Sequence, residues 1–85
     1  MPAKYFSVAK TADKNFLRLP RNVQGKIIAS YIRLKDNPLL GEKLHGELEG
    51  KYKLRVGDYR VVYLFDRKTS TVLVLKIEHR QGVYK

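Results

Sequence analysis

The stretch YKLRVGDYRVVYLF, residues 52–65, leaves the chain few ways to fold. Apolar and polar side chains alternate on either side of Gly57-Asp58, the Gly-first pair that a two-residue type II′ turn favours. That turn sets Val56 opposite Tyr59, Arg55 opposite Arg60, Leu54 opposite Val61 and Lys53 opposite Val62. Paired residues point to the same side of a sheet. One face therefore carries Tyr52, Leu54, Val56, Tyr59, Val61, Tyr63 and Phe65, and the other carries Lys53, Arg55 and Arg60 with Val62 and Leu64 at its far end. Like charges directly opposite each other destabilise a sheet by a few tenths to ~1 kcal/mol. A solvated outer face accounts for Lys or Arg singly, but poorly for Arg set against Arg. A cationic cluster preorganised for a phosphate accounts for the pair, because binding an anion recovers the cost.

The segments around the hairpin supply its cover. KYFSVA reads as a short strand with Tyr5 and Ser7 on one side and Phe6 and Val8 on the other. Thr11 offers a side-chain oxygen to cap a helix in which Ala12, Phe16 and Leu19 recur at helical spacing up to Pro20. A second helix spans about Arg21 to Lys35, with Val23, Ile27, Tyr31 and Leu34 as its stripe, supported by Ile28 and Ile32, until Asp36-Asn37-Pro38 stops it. LLGEKLHGELEG then reads as a loop that Leu44 and Leu48 tack to the core. Three strands follow, about Lys51–Val56, Tyr59–Asp66 and Thr71–His79. Dense strands after a helical hairpin predict an α+β fold: an N-terminal strand and helical hairpin on one face of a largely antiparallel sheet. Residues 1–85 read as one domain, without repeats or linkers.

Charge narrows the function. Eighteen Lys and Arg against eight Asp and Glu give a formal charge of +10, a field suited to polyanionic partners. Residues 51–85 carry net +6 and residues 1–50 net +4, so the strand region is the more basic part. Without cysteine there are no disulfides or thiolate metal sites, and His45 and His79 show no ligand spacing, so no metal is expected. Apolar runs such as Val72–Leu75 are far below the ~20 residues that span a bilayer. With no apolar signal-peptide core, a cytoplasmic protein is the default expectation. Which residues of the last strand join Arg60 depends on parity. A four-residue turn at Arg67–Ser70 puts Leu73, Leu75 and Ile77 on its face, whereas an odd loop or a bulge puts Lys76, Glu78 and Arg80 there.

GKYKLRVGDYRVVYLFD, followed by VLVLKIEHRQGVYK, closely resembles the RelE/ParE toxin superfamily, the RelE branch most of all. The likeness covers essentially the whole chain, including the RLP turn at Arg18–Pro20. It implies the toxin of a type II toxin–antitoxin system, partnered by a cognate antitoxin. The implied activity is a metal-independent endoribonuclease that cleaves mRNA in the ribosomal A site, with no small-molecule cofactor. The 2′-hydroxyl attacks the adjacent phosphate, leaving a 2′,3′-cyclic phosphate or 3′-phosphate and a 5′-hydroxyl. By the same resemblance Lys53 matches the first lysine of the basic strand, Arg55 stands in the place of the second, Arg60 matches the arginine of DYR, and Arg80 and Tyr84 match the C-terminal pair. Arginine stays protonated, so Arg55 cannot be a base. The sequence ends one residue after Tyr84, so the additional C-terminal helix of some relatives is not expected.

These matches predict roles. Lys53 is the first choice for the base, Tyr84 the alternative base or positioning group, and Arg60 and Arg80 the bidentate phosphate ligands. His79 is a candidate acid, against the plainer reading of a strand-end histidine bonded to backbone. Lys51, Lys53, Arg55, Arg60, Lys76 and Arg80 form the expected RNA-binding set. Tyr5, Tyr31, Tyr52, Tyr59 and Tyr63 read as core or sheet-face residues, and His45 as surface. Two rival readings remain: a ParE-like toxin that inhibits DNA gyrase, and a non-catalytic RNA- or ribosome-binding module.

Overall fold

The hairpin takes the register its sequence dictates. In the computed structural model, which describes residues 2–44 and 50–79, Arg55 pairs with Arg60 and every other pair from Lys51–Leu64 to Val56–Tyr59 follows in step. Gly57 turns at φ 59°, open to glycine at little cost and required of the first central residue of a II′ turn. The strands flanking it are β3 (Lys51–Val56) and β4 (Tyr59–Asp66), and β5 is Thr71–His79, with the bounds that alternation predicts. Two further strands complete the sheet: β1 (Tyr5–Val8) and β2 (Glu42–Lys43). The order is β1-β5-β4-β3-β2, with β1 parallel to β5 and the other neighbours antiparallel. The edge strand β2 falls within the segment expected to be loop. Two residues carry no alternation to read, and β2 exists only because Glu42 and Lys43 pair with Lys53 and Tyr52.

Helices α1 (Lys10–Leu17) and α2 (Arg21–Asp36) cover the apolar face. Thr11 does not cap α1. The helix starts two residues earlier than that cap would set it, at Lys10 behind Ala9, whose carbonyl accepts the Asp13 N–H at 3.0 Å and whose own N–H donates to the Val74 carbonyl at 2.8 Å. The chain thus passes from sheet to helix while still tied to β5, and that tether sets the helix start without a side-chain cap. Pro20 opens α2: its carbonyl accepts from Val23 and Gln24, while the Gln24 amide donates to the Phe16 carbonyl at 3.0 Å and joins the helices. Ala12, Ile27 and Leu34 are fully buried against Val61, Tyr63, Val72 and Val74. Ile28 and Ile32 are not part of that stripe; they are 49 and 68% exposed. A sheet covers one side of a helix only, and at about 100° per residue positions 28 and 32 turn away from positions 27 and 34. Ser30 occupies the buried face in their stead, its hydroxyl donating to the Ile27 carbonyl at 2.6 Å. Burial pushes the Tyr31 hydroxyl up to about 12, with the Asp13 charge adding to it, and its ring lies 5.2 Å from that of Phe6. Among the described residues no helix is long and apolar enough to cross a membrane.

Tyr63 carries the connection into β2. Its ring is fully buried and stacked on Tyr52 at 5.3 Å. Its hydroxyl donates to the Pro38 carbonyl at 2.8 Å and accepts the Gly41 N–H at 2.9 Å. Burial raises the pKa of this hydroxyl, an effect that the Gly41 hydrogen bond partly offsets. A Cβ on Gly41 would stand 2.7 Å from both that hydroxyl and the Lys53 carbonyl, so only glycine lets the loop come this close. Tyr63→Phe strands both loop groups and should cost about 1–3 kcal/mol in chemical unfolding. A loss below a few tenths would mean that the phenol does not anchor the loop.

Candidate nucleic-acid interface

The face left bare by the helices is built in transverse rows. Strand register places Arg55, Arg60 and Glu78 side by side across β3, β4 and β5. The next row runs Glu42, Lys53, Val62, Lys76, and the one after it Lys51, Leu64, Leu73 and Ser7. Both alternatives for β5 occur, one in each half of the strand. Asp66 pairs with Thr71 around a four-residue turn, which sets Leu73 on the Leu64 side. A bulge opposite Val62 and Tyr63 then inserts Leu75, and beyond it Lys76 and Glu78 share the face of Arg60. The single extra residue is what brings charge from β5 into the cluster.

Lys51, Lys53, Arg60 and Lys76 rim a groove of about 400 Å³ floored by Val62 and Leu75. A neighbouring depression of about 590 Å³ shares Lys53 and Arg60 and adds Arg55 and Glu42. Leu44, expected to pin a loop to the core, lies half-buried and lines this open-face groove. Carboxylates enter the cluster at two points. Glu42 Oε2 lies 3.9 Å from Lys53 Nζ, a contact largely exposed to water. Glu78 spans two cations, with Oε2 3.2 Å from Arg60 Nε and Oε1 3.1 Å from Lys76 Nζ. Arg60 is therefore flanked by a like charge on β3 and an opposite charge on β5. That third strand relieves part of the repulsion that the hairpin considered alone contains.

Of the residues singled out by sequence, the sheet thus gathers Lys51, Lys53, Arg55, Arg60 and Lys76 on one face. His79 is not with them. It pairs with Tyr59 on the helix side of the sheet and meets the Tyr59 ring edge-on at 5.1 Å. That is the placement of a strand-end histidine, and it separates the expected acid from the cationic face. Tyr5 is 63% exposed, a sheet-face and not a core residue. Arg80, Tyr84, His45 and Leu48 lie outside the described residues. Sequence reasoning missed Glu42 as a member of the cluster and put Glu78 there only on the bulged alternative, which is the one that β5 adopts beyond Leu75. The signal for Glu78 was its two-residue spacing from Lys76, but placing both beside Arg60 requires the bulge. Among the described residues no three of His, Asp and Glu come together as metal ligands would. Chemically, this surface offers charge-assisted hydrogen bonds to phosphate and an apolar floor for whatever lies between phosphates.

A small sheet thus carries helices on one face and a gathering of guanidinium and ammonium groups on the other. The sequence pattern of the family described as "ParE toxin of type II toxin-antitoxin system, parDE" matches residues 6–84, and the chain belongs to that family. It is 31% identical to the toxin RelG of Mycobacterium tuberculosis, with 88% of each chain covered. It is 33% identical to the toxin RelE of the same organism, over 95% of this chain and 86% of that one. Among solved structures, the toxin–antitoxin complex RelBE2 of Mycobacterium tuberculosis matches with a TM-score of 0.85 at 29% identity, covering 94% of this chain and 100% of that one.

Proposed function

We propose that this type II toxin is an endoribonuclease that cleaves mRNA in the ribosomal A site through attack of a 2′-hydroxyl on the adjacent phosphate. The observation that carries the reading is the convergence of Lys53, Arg55 and Arg60, with Lys51 and Lys76, on one groove of the open sheet face. Similarity to the toxins RelE and RelG supports the same reading. In-line attack builds negative charge on the phosphorane oxygens, and Arg60 neutralises it. Arg55, opposite it, holds a neighbouring phosphate. Lys53, between Lys51 and Arg55 on the same strand face, takes the proton from the attacking hydroxyl. The leaving 5′-oxygen takes a proton from solvent water, the proton held by Lys53 returns to solvent, and Tyr84 and Arg80 complete the set that the resemblance assigns. The resemblance implies that side chains alone carry the reaction.

The likeness to RelBE2 supports a cognate antitoxin as partner, acidic where it covers the basic face. Salt dependence tests the RNA surface. If ~4 phosphates are neutralised, affinity for single-stranded RNA should fall ~50-fold between 50 and 200 mM salt, and a flat response would argue against RNA as the target.

The match to the ParE toxin family favours a second reading, the ParE-like one, for which the resemblance implies inhibition of DNA gyrase. A supercoiling assay run beside ribosome-dependent cleavage separates the two. Cleavage without supercoiling inhibition supports the ribonuclease, and the reverse supports the gyrase inhibitor.

A further inference from the structure

A carboxylate is the wrong charge for a surface that gathers phosphate, yet Glu78 stands within the cationic rows. Its two oxygens divide between two cations, 3.2 Å from Arg60 Nε and 3.1 Å from Lys76 Nζ. Its side chain is only 22% exposed, against 72% for Glu42. Glu42 is thus a screened surface partner, whereas Glu78 is held in place and largely withdrawn from water. The arrangement is specific to the backbone: Glu78 lies directly across the ladder from Arg60, and Lys76 joins it only beyond the bulge at Leu75. Arginine reaches its target from a flexible stem. The contact at Nε is an ion pair and not an aligned hydrogen bond, so the carboxylate acts through charge: it draws the Arg60 side chain toward β5 and sets where the guanidinium meets a phosphate.

We propose that Glu78 is a positioning residue for the cleavage reaction, holding Arg60 and Lys76 in the arrangement in which they meet the scissile phosphate while weakening ground-state RNA binding. The proposal rests on the ribonuclease reading. Glu78 forms and breaks no bond. Its negative charge opposes RNA in the ground state and the transition state alike, whereas the orientation it imposes acts only on the transition state and is read in kcat.

The test compares the parental protein with Glu78→Gln, which keeps the shape and removes the charge, and Glu78→Asp, which keeps the charge. Affinity is measured with an all-2′-deoxy single strand, which lacks the attacking hydroxyl, and kcat and KM with mRNA on programmed ribosomes. The Gln variant should bind the strand ~3–5-fold tighter at 50 mM salt, with a logarithmic salt slope steeper by ~0.7, the increment for one more phosphate contact. Its kcat should nevertheless fall at least ~10-fold, and the Asp variant should recover most of that loss. A purely structural ion pair would instead shift the melting temperature without this division between affinity and kcat. Parental kcat in the Gln variant, or affinity no tighter than parental, would overturn the proposal. A parental protein that leaves mRNA intact would defeat the ribonuclease reading alone, and the affinity comparison would still decide whether Glu78 holds these cations back from phosphate.

Discussion

Replacing Arg60 with alanine should lower the rate of A-site mRNA cleavage by roughly 10²–10³-fold, about 3–4 kcal/mol of transition-state stabilisation. The protein should stay folded. Arg60 stands on the open face with its side chain 26% exposed, and the core on the other side of the sheet does not use it. Truncation relieves the like-charge pair with Arg55 but removes one of the two cations that Glu78 holds, and Lys76 remains at 3.1 Å from the carboxylate. These effects oppose each other and are each of order 1 kcal/mol or less. Growth arrest on induction and cleavage of mRNA on purified ribosomes, set beside a thermal melt, make the comparison. A folded variant that cuts at the parental rate would remove Arg60 from the reaction.

The second large effect is on stability and discriminates between two adjacent isoleucines on one helix. Ile27→Ala should cost about 2–5 kcal/mol, because the side chain is fully buried against the sheet and the cavity cannot collapse onto solvent. In a domain of this length each kcal/mol lowers the melting temperature by roughly 4–8 °C. Ile28→Ala, one position away and 49% exposed, should change stability by no more than ~0.5 kcal/mol. Equal losses at the two sites would mean that α2 presents a different face to the sheet.

That pair of substitutions also marks how far the sequence could be read. The strands β3, β4 and β5 were legible to the residue because their alternation has period two, and because Gly57-Asp58 admits one turn geometry that fixes every pair behind it. The helices were legible as segments but less so as surfaces. Ile28 and Ile32 match a helical repeat as well as Ile27 does, and hydrophobicity alone does not say how much of the circumference a sheet will cover. Ser30, polar and buried, carries the opposite lesson: its hydroxyl is satisfied by its own helix, so composition gave no warning of it. The start of α1 was misplaced because a sheet hydrogen bond at Ala9, formed across a long sequence separation, does what a capping side chain does elsewhere.

The site divides along similar lines. The cations of the hairpin could be assigned a common face from register alone, and they share it. The contribution of β5 could not, because a bulge changes the parity of everything after it and nothing local announces which residue will be extruded. Leu75 is apolar on both readings. The same one-residue insertion brings Lys76 and Glu78 to Arg60 and leaves His79 with Tyr59 on the far side. The puzzle of two facing arginines is accordingly answered in part by electrostatics that the hairpin does not contain. Arg60 is balanced from β5, so the cluster is less repulsive than it reads, while its net sign stays positive.

The central claim is chemical: this cationic face breaks an RNA phosphodiester. Mapping of mRNA ends on ribosomes incubated with the purified protein tests it most directly. The account predicts cuts confined to the A-site codon, with a 5′-hydroxyl on one fragment and a 2′,3′-cyclic phosphate or 3′-phosphate on the other. Full-length mRNA after incubation with folded protein, at concentrations that bind the ribosome, would contradict it.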